Sequence, residues 1–136
     1  MTRIVRQRHT RQLAVVWEAV ARAQGHPTAE QVLHQARKKL PRISRGTVYR
    51  NLQKLVSQGR VLVIRTPDGV QRFDATTEPH DHFVCGQCED VADVPFAPEP
   101  DATRIEQLGF VVWARSLTWV GVCPHCRGRR QPALER

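Results

Sequence analysis

The sequence predicts an α+β chain, with a helical first half and a strand-rich second half, on three observations. Apolar residues recur at helical spacing in successive segments up to residue 58. After residue 60 come short runs rich in Val, Ile and aromatic residues, bounded by Gly and Pro, which read as strands and turns. All four cysteines fall in the second half, as two CxxC pairs.

The elements follow in order. Leu13, Val16, Trp17 and Val20 predict a helix over residues 8–24, stopped by Gly25. Thr28 with Gln31 three residues later forms a capping box for a second helix, which Pro41 ends. Ser44 caps a third helix running to Gln58, with Gly59 after its end and Val48, Leu52, Leu55 and Val56 as its buried stripe. A hairpin follows: residues 60–65, the turn Thr66-Pro67-Asp68-Gly69, and the return strand 70–74. Helices followed by a hairpin is the winged-helix order, a helix-turn-helix variant. Residues 75–79 (ATTEP) read as a hinge. Beyond it, 83–94 is strand-like around the first CxxC, Pro95 to Asp101 is irregular, 103–108 is a short helix ended by Gly109, and 110–122 favours a strand.

Charge is distributed unevenly. The net charge of +8 arises from about +11 over residues 1–60 and −3 over the remainder. The first half is thus suited to a polyanion, and a merely solvated basic face would not explain the asymmetry. At 136 residues the core is limited, so a structural metal or an obligate dimer would help stability. The apolar stretch Leu13 to Val20 is far too short to span a bilayer and contains Glu18. The basic N-terminus lacks the apolar core of a signal peptide, and a cytoplasmic location is expected.

Three groups of residues carry chemistry. Cys85, Cys88, Cys123 and Cys126 have the spacing of a closed tetrahedral zinc site, which leaves no open coordination position and is structural. Unrelated thiols, or His125 in place of a cysteine, are the weaker readings. His80-Asp81-His82 is a weak signal by itself, since two histidines at alternate strand positions share a face but most such pairs are not ligands; the nearby carboxylates Asp74, Asp81, Glu89, Asp90 and Asp93 add a mixed N/O supply that suits iron, manganese or zinc. The third helix carries Arg45, Tyr49, Arg50 and Lys54 away from its buried stripe, suited to phosphates and major-groove base edges, or simply to a solvated face.

Taken together, these motifs resemble the ferric uptake regulators, a family of iron, peroxide, zinc and manganese sensors. The resemblance rests on His26-Pro27-Thr28-Ala29-Glu30, on SRGTVYRNL from Ser44 to Leu52, on Arg72-Phe73-Asp74, on HDHFVCGQC, and on Val122-Cys123-Pro124-His125-Cys126. It spans about residues 8–126.

The resemblance implies a winged helix-turn-helix domain (1–74), a hinge (75–79), a small α/β dimerisation and metal-binding domain (80–126) with a four-cysteine zinc site, and a disordered tail (127–136). It implies a regulatory site of His26, Asp74, His80, His82 and Asp93, filled by Fe(II) or Mn(II), and structural Zn(II) on the four cysteines. It also implies DNA contacts from Arg11, Arg45, Thr47, Tyr49, Arg50 and Lys54. The expected partners are a second copy of the chain and an AT-rich pseudo-palindromic duplex.

Asp93, where iron sensors often carry glutamate, looks more like the peroxide-sensing branch, in which bound iron and peroxide oxidise a ligand histidine. The chain also departs from many relatives. Pro79, Pro100 and Val122 stand where a further acid/His site would need ligands, so that site is expected to be absent. Arg11 follows Thr10 where relatives carry a TPQ-like start. The competing functions are a zinc-ribbon nucleic-acid binder indifferent to a second metal, and a non-haem iron enzyme. No nucleophile or substrate loop supports the enzyme.

Overall fold

The computed structural model describes residues 2–95, 102–113, 115 and 117–129. The chain divides into two compact units, Met1–Glu78 and Pro79–Arg136.

The first unit contains α1 (Thr2–Ala21), α2 (Ala29–Lys39), α3 (Arg45–Ser57), β1 (Leu62–Arg65) and β2 (Gln71–Asp74). Helix α1 begins at Thr2 rather than Arg8, because nothing from Thr2 to Gln7 breaks a helix. The expected caps form. The Thr28 side chain accepts from the Gln31 N–H while the Gln31 side chain accepts from the Thr28 N–H, and the Ser44 hydroxyl accepts from the Thr47 N–H. Strands β1 and β2 pair antiparallel from Leu62↔Asp74 to Arg65↔Gln71, closing the wing.

One apolar core holds this unit together. Val15, Val16 and Val20 from α1 meet Val32, Leu33 and Ala36 from α2 and Val48, Leu52 and Leu55 from α3, with Val61 and Phe73 beneath. Trp17 departs from the expected stripe: it is 36% exposed, and the Arg60 guanidinium lies 5.5 Å from its ring centroid. Leu13 is half-buried at the margin, and Val15 takes the inward place.

The second unit contains β3 (Asp81–Cys85), β4 (Val91–Val94), α4 (Thr103–Glu106), β5 (Thr118–Gly121) and α5 (Pro124–Arg127). Its sheet order is β4-β3-β5, with β4 antiparallel and β5 parallel to β3. Gly109 ends the α4 segment at φ 90°, a conformation glycine adopts without steric cost.

The strand expected over 110–122 is shorter: β5 covers only Thr118–Gly121. Phe110, Val111 and Trp113 are instead 63%, 80% and 93% exposed and make no ladder among the described residues. The partial alternation in this stretch was too irregular to specify a sheet face. The expected irregular stretch from Pro95 to Asp101 and the expected disordered tail lie mostly outside the described residues. Within the tail's span, Arg127 closes the short helix α5 that the second CxxC begins.

The apolar interior of this unit is small: among its described residues only Val84, Cys85 and Cys126 are buried hydrophobics. An interior that small gives little hydrophobic stabilisation, so the unit needs support from a metal, a partner surface or both.

Candidate metal centres and nucleic-acid face

The parallel pairing of β3 and β5 explains how two CxxC pairs separated by 34 intervening residues come together. Cys85 ends β3 and sits in register with Gly121 at the end of β5, so the two CxxC turns leave the same edge of the sheet. The four sulfur atoms lie within 4.8 Å of one another, and Cys88 Sγ is 3.8 Å from Cys123 Sγ. A tetrahedron with metal–sulfur bonds of about 2.3 Å has an edge of about 3.8 Å, so the donor set fits a four-thiolate ion.

Backbone geometry supports anionic sulfur here. The N–H groups of Gln87 and Cys123 both donate to Cys85 Sγ at 3.4 Å, and the Cys126 N–H donates to Cys123 Sγ at 3.4 Å. The first turn is tight enough to put Glu89 at φ 64°, an unusual place for a residue with a side chain. The Cys123 and Cys88 N–H groups bring the Cys85 thiol down to about 6, whereas burial, and then the neighbouring thiols, push Cys126 up to about 12. Thiols this crowded cannot all ionise without a cation among them.

The other ligand-type side chains are divided between the units. In the first unit, His26 Nε2 lies 3.3 Å from Asp74 Oδ2, both side chains buried. Strand β2 is stitched to the α1–α2 connection: the Phe73 N–H donates to the Pro27 carbonyl at 2.9 Å, and Arg72 Nη1 donates to the His26 carbonyl at 3.2 Å. The Thr76 N–H donates to Asp74 Oδ1 at 2.8 Å, leaving Oδ2 turned toward the imidazole.

In the second unit, His82 lies in β3 as the direct partner of Asp93 in β4, and His80 stands two residues earlier, just ahead of the strand. Asp93 Oδ1 is 3.2 Å from His80 Nε2 and 3.6 Å from His82 Nε2, and the two imidazole rings are 4.5 Å apart. Imidazole nitrogen and carboxylate oxygen around one point suit a borderline divalent cation.

Asp81, one of the carboxylates available near the histidines, points to the other face of β3. It is 2% exposed, with its Oδ2 3.5 Å from Arg115 Nη2. Arg115 is a residue that sequence reasoning passed over; its one signal is a lone cation inside the apolar stretch 110–122.

On α3, Arg45, Tyr49, Arg50 and Lys54 are exposed, and Thr47 is half-buried. Arg50 Nη2 donates to Thr47 Oγ1 at 3.2 Å, which aims the guanidinium along the helix. Arg45 pairs with Glu30 of α2 at 3.2 Å, but both are well exposed, so the pair is worth only about 0–1 kcal/mol. Arg11 is exposed on α1.

A helical unit closed by a wing and a sheet unit with a four-thiol cluster and an imidazole–carboxylate set describe a metal-responsive winged-helix regulator. The sequence profile of the ferric uptake regulator family matches residues 5–117, and the chain belongs to that family. The peroxide operon regulator of Bacillus subtilis is 33% identical over 129 residues, 91% of this chain and 83% of that protein. The peroxide-responsive repressor PerR of Staphylococcus epidermidis is 30% identical over 125 residues, 88% and 81% of the two chains. Among solved structures, the Campylobacter jejuni peroxide stress regulator superposes with a TM-score of 0.73 at 26% identity, covering 93% of this chain and 98% of that one. The Helicobacter pylori ferric uptake regulator shares the fold, with a TM-score of 0.71 at 22% identity over 89% of this chain and 83% of that one.

Proposed function

We propose that the chain is a homodimeric repressor that binds DNA when Fe(II) or Mn(II) occupies one regulatory site built from His26, Asp74, His80, His82 and Asp93. The observation that carries this reading is the pair of incomplete ligand sets. The DNA-facing unit offers one imidazole and one carboxylate, and the sheet unit offers two imidazoles and one carboxylate. Neither set alone satisfies an ion that takes five or six donors. Bound to both, the ion supplies a crosslink across residues 75–79. It favours the DNA-competent arrangement only by the difference in its affinity for the two arrangements.

The chain's own residues do the rest. Zn(II) on Cys85, Cys88, Cys123 and Cys126 braces the sheet unit, whose buried apolar interior is small. A second copy covers exposed apolar side chains of the sheet unit, among them Leu108, Phe110, Val111, Trp113 and Trp119, which are costly to leave in water. Two copies present two α3 helices to half-sites of an AT-rich pseudo-palindrome, with Arg11, Arg45, Thr47, Tyr49, Arg50 and Lys54 at the duplex. No helix of the described residues is long and apolar enough to cross a membrane.

Two curated relatives are named for peroxide. In this reading the Fe(II) form loses DNA on exposure to peroxide, through oxidation of a ligand histidine, whereas the Mn(II) form does not.

The test is to count metals per chain, then follow binding to a library of AT-rich palindromic duplexes with and without Mn(II), Fe(II) and peroxide. One retained zinc and metal-dependent binding support the regulator. DNA binding indifferent to the second metal overturns it in favour of a zinc-dependent nucleic-acid binder.

A further inference from the structure

Strand β3 presents ligands on one face and a buried acid on the other. Between His80 and His82, Asp81 turns away from them, 2% exposed, with Arg115 Nη2 3.5 Å from its Oδ2. The same stretch of chain touches β3 a second time: the His82 N–H donates to the Leu117 carbonyl at 3.2 Å, where β5 begins its parallel ladder at His82↔Thr118. The backbone around the two histidines is therefore tied to the same stretch through Arg115, Leu117 and Thr118. Immediately before them lie the exposed apolar side chains Phe110, Val111 and Trp113.

A carboxylate this deeply buried is costly to keep charged, and removing the Arg115 cation would raise that cost and favour β3 shifting toward water. Because side chains alternate along a strand, a shift at Asp81 moves both neighbouring imidazoles together.

We propose that Arg115 and Asp81 form a positioning pair. It holds His80 and His82 at the spacing that Asp93 and a divalent cation require, and links that spacing to the chain segment carrying the apolar face. The inference rests on the reading of His80, His82 and Asp93 as ligands. It adds that metal affinity is set partly from the opposite face of the sheet, by a residue that never touches the ion. By linkage, covering Phe110, Val111 and Trp113 and binding metal at the histidines favour one another.

The experiment is a Mn(II) titration of the full-length, zinc-loaded protein, read by the electron paramagnetic resonance of free and bound Mn(II). Arg115→Met, Asp81→Asn and the double variant are compared with the parent, with zinc content and far-ultraviolet circular dichroism followed alongside. Arg115→Met is expected to bind Mn(II) about tenfold more weakly while keeping its zinc, the size of effect seen when a residue supporting a metal ligand is removed. The double variant removes both charges and is expected to recover most of that loss, a recovery that a general packing defect would not give. Should Arg115→Met fail to fold, Arg115→Gln carries the test: it removes the charge but keeps a hydrogen-bond donor beside Asp81, and is expected to bind Mn(II) more weakly than the parent while keeping its zinc, parent-like affinity again overturning the proposal.

Parent-like Mn(II) affinity in a folded Arg115→Met protein overturns the proposal. So does a double variant as weak as, or weaker than, the worse single variant. A parent that binds no Mn(II) beyond its zinc would instead overturn the regulatory-site reading itself, so the two failures are distinguishable.

Discussion

His82 and Asp93 stand directly opposite each other across β3 and β4, with 3.6 Å between His82 Nε2 and Asp93 Oδ1. Direct cross-strand partners move little relative to one another, so the sheet itself preorganises this part of the proposed metal site. Asp93→Ala is expected to lower Mn(II) affinity at least about tenfold while leaving zinc content unchanged. Metal analysis and Mn(II) titration of the same preparation check this, and equal affinities would remove Asp93 from the ligand set.

His26 lies in the α1–α2 connection, with its Nε2 3.3 Å from Asp74 Oδ2 on β2. His26→Ala is expected to weaken metal-dependent operator binding while leaving weak, metal-independent binding to random DNA unchanged. Electrophoretic mobility shifts with and without Mn(II) separate the two. A variant that still responds fully to metal would show that the helical unit contributes no essential ligand.

Removal of the proposed zinc ion from the four thiols should fall mainly on the sheet unit. Zinc bound by four cysteines is worth on the order of 10 kcal/mol of folding free energy in small domains, far more than Val84 supplies, the one buried apolar residue among the unit's described residues that is not itself one of the thiols. Cys126→Ser is expected to release zinc and abolish dimers. The helical unit, with its own core, keeps most of its far-ultraviolet signal. Analytical ultracentrifugation and thermal melts read the two effects.

On α3, buried and exposed positions predict different defects. Leu52 is 1% exposed, and Leu52→Ala should cost about 2–5 kcal/mol of stability, visible in urea unfolding. Arg50→Ala should leave unfolding unchanged but weaken operator binding by about 1–3 kcal/mol. Lys54→Ala should act on all sequences alike, making the salt dependence of binding shallower by about one unit if its ammonium neutralises one phosphate.

Glu18 gives a pH dependence with a definite sign. The hydrogen bond from Lys39, with the charges of Arg22 and Lys39, holds its carboxyl below the ordinary value. A carboxyl lowered on folding stabilises the protein above its unfolded value, and the contribution disappears as pH falls through the folded one. Urea midpoints measured from neutral pH down into the carboxyl range should therefore fall less steeply for Glu18→Gln than for the parent.

Much of the helical unit was legible because its signals are local. The capping box of Thr28 and Gln31, the Ser44 cap and Gly59 after α3 each lie within a few residues of what they control. The thiol cluster was legible from spacing alone, although the reason its halves meet is a parallel pairing that no local pattern encodes. The His26–Asp74 pair came only through the family resemblance, since the two are brought together by β2 crossing the α1–α2 connection. Asp81 read as one more nearby carboxylate because which face it takes depends on strand register. The stretch 110–122 read as strand because its Val, Trp and Thr content fits any half-buried surface, including one completed by another chain.

The three tryptophans are all exposed in the single chain: Trp17 36%, Trp119 51% and Trp113 93%. Two of them lie among the exposed apolar side chains of the sheet unit, and the third sits beside the Arg60 guanidinium in the other unit. Indole emission shifts to the blue when water is stripped from the ring, so these rings give an optical gauge of the proposed self-association. On dilution, light from Trp113 and Trp119 would redden as partners separate, while Trp17 stays constant as an internal standard.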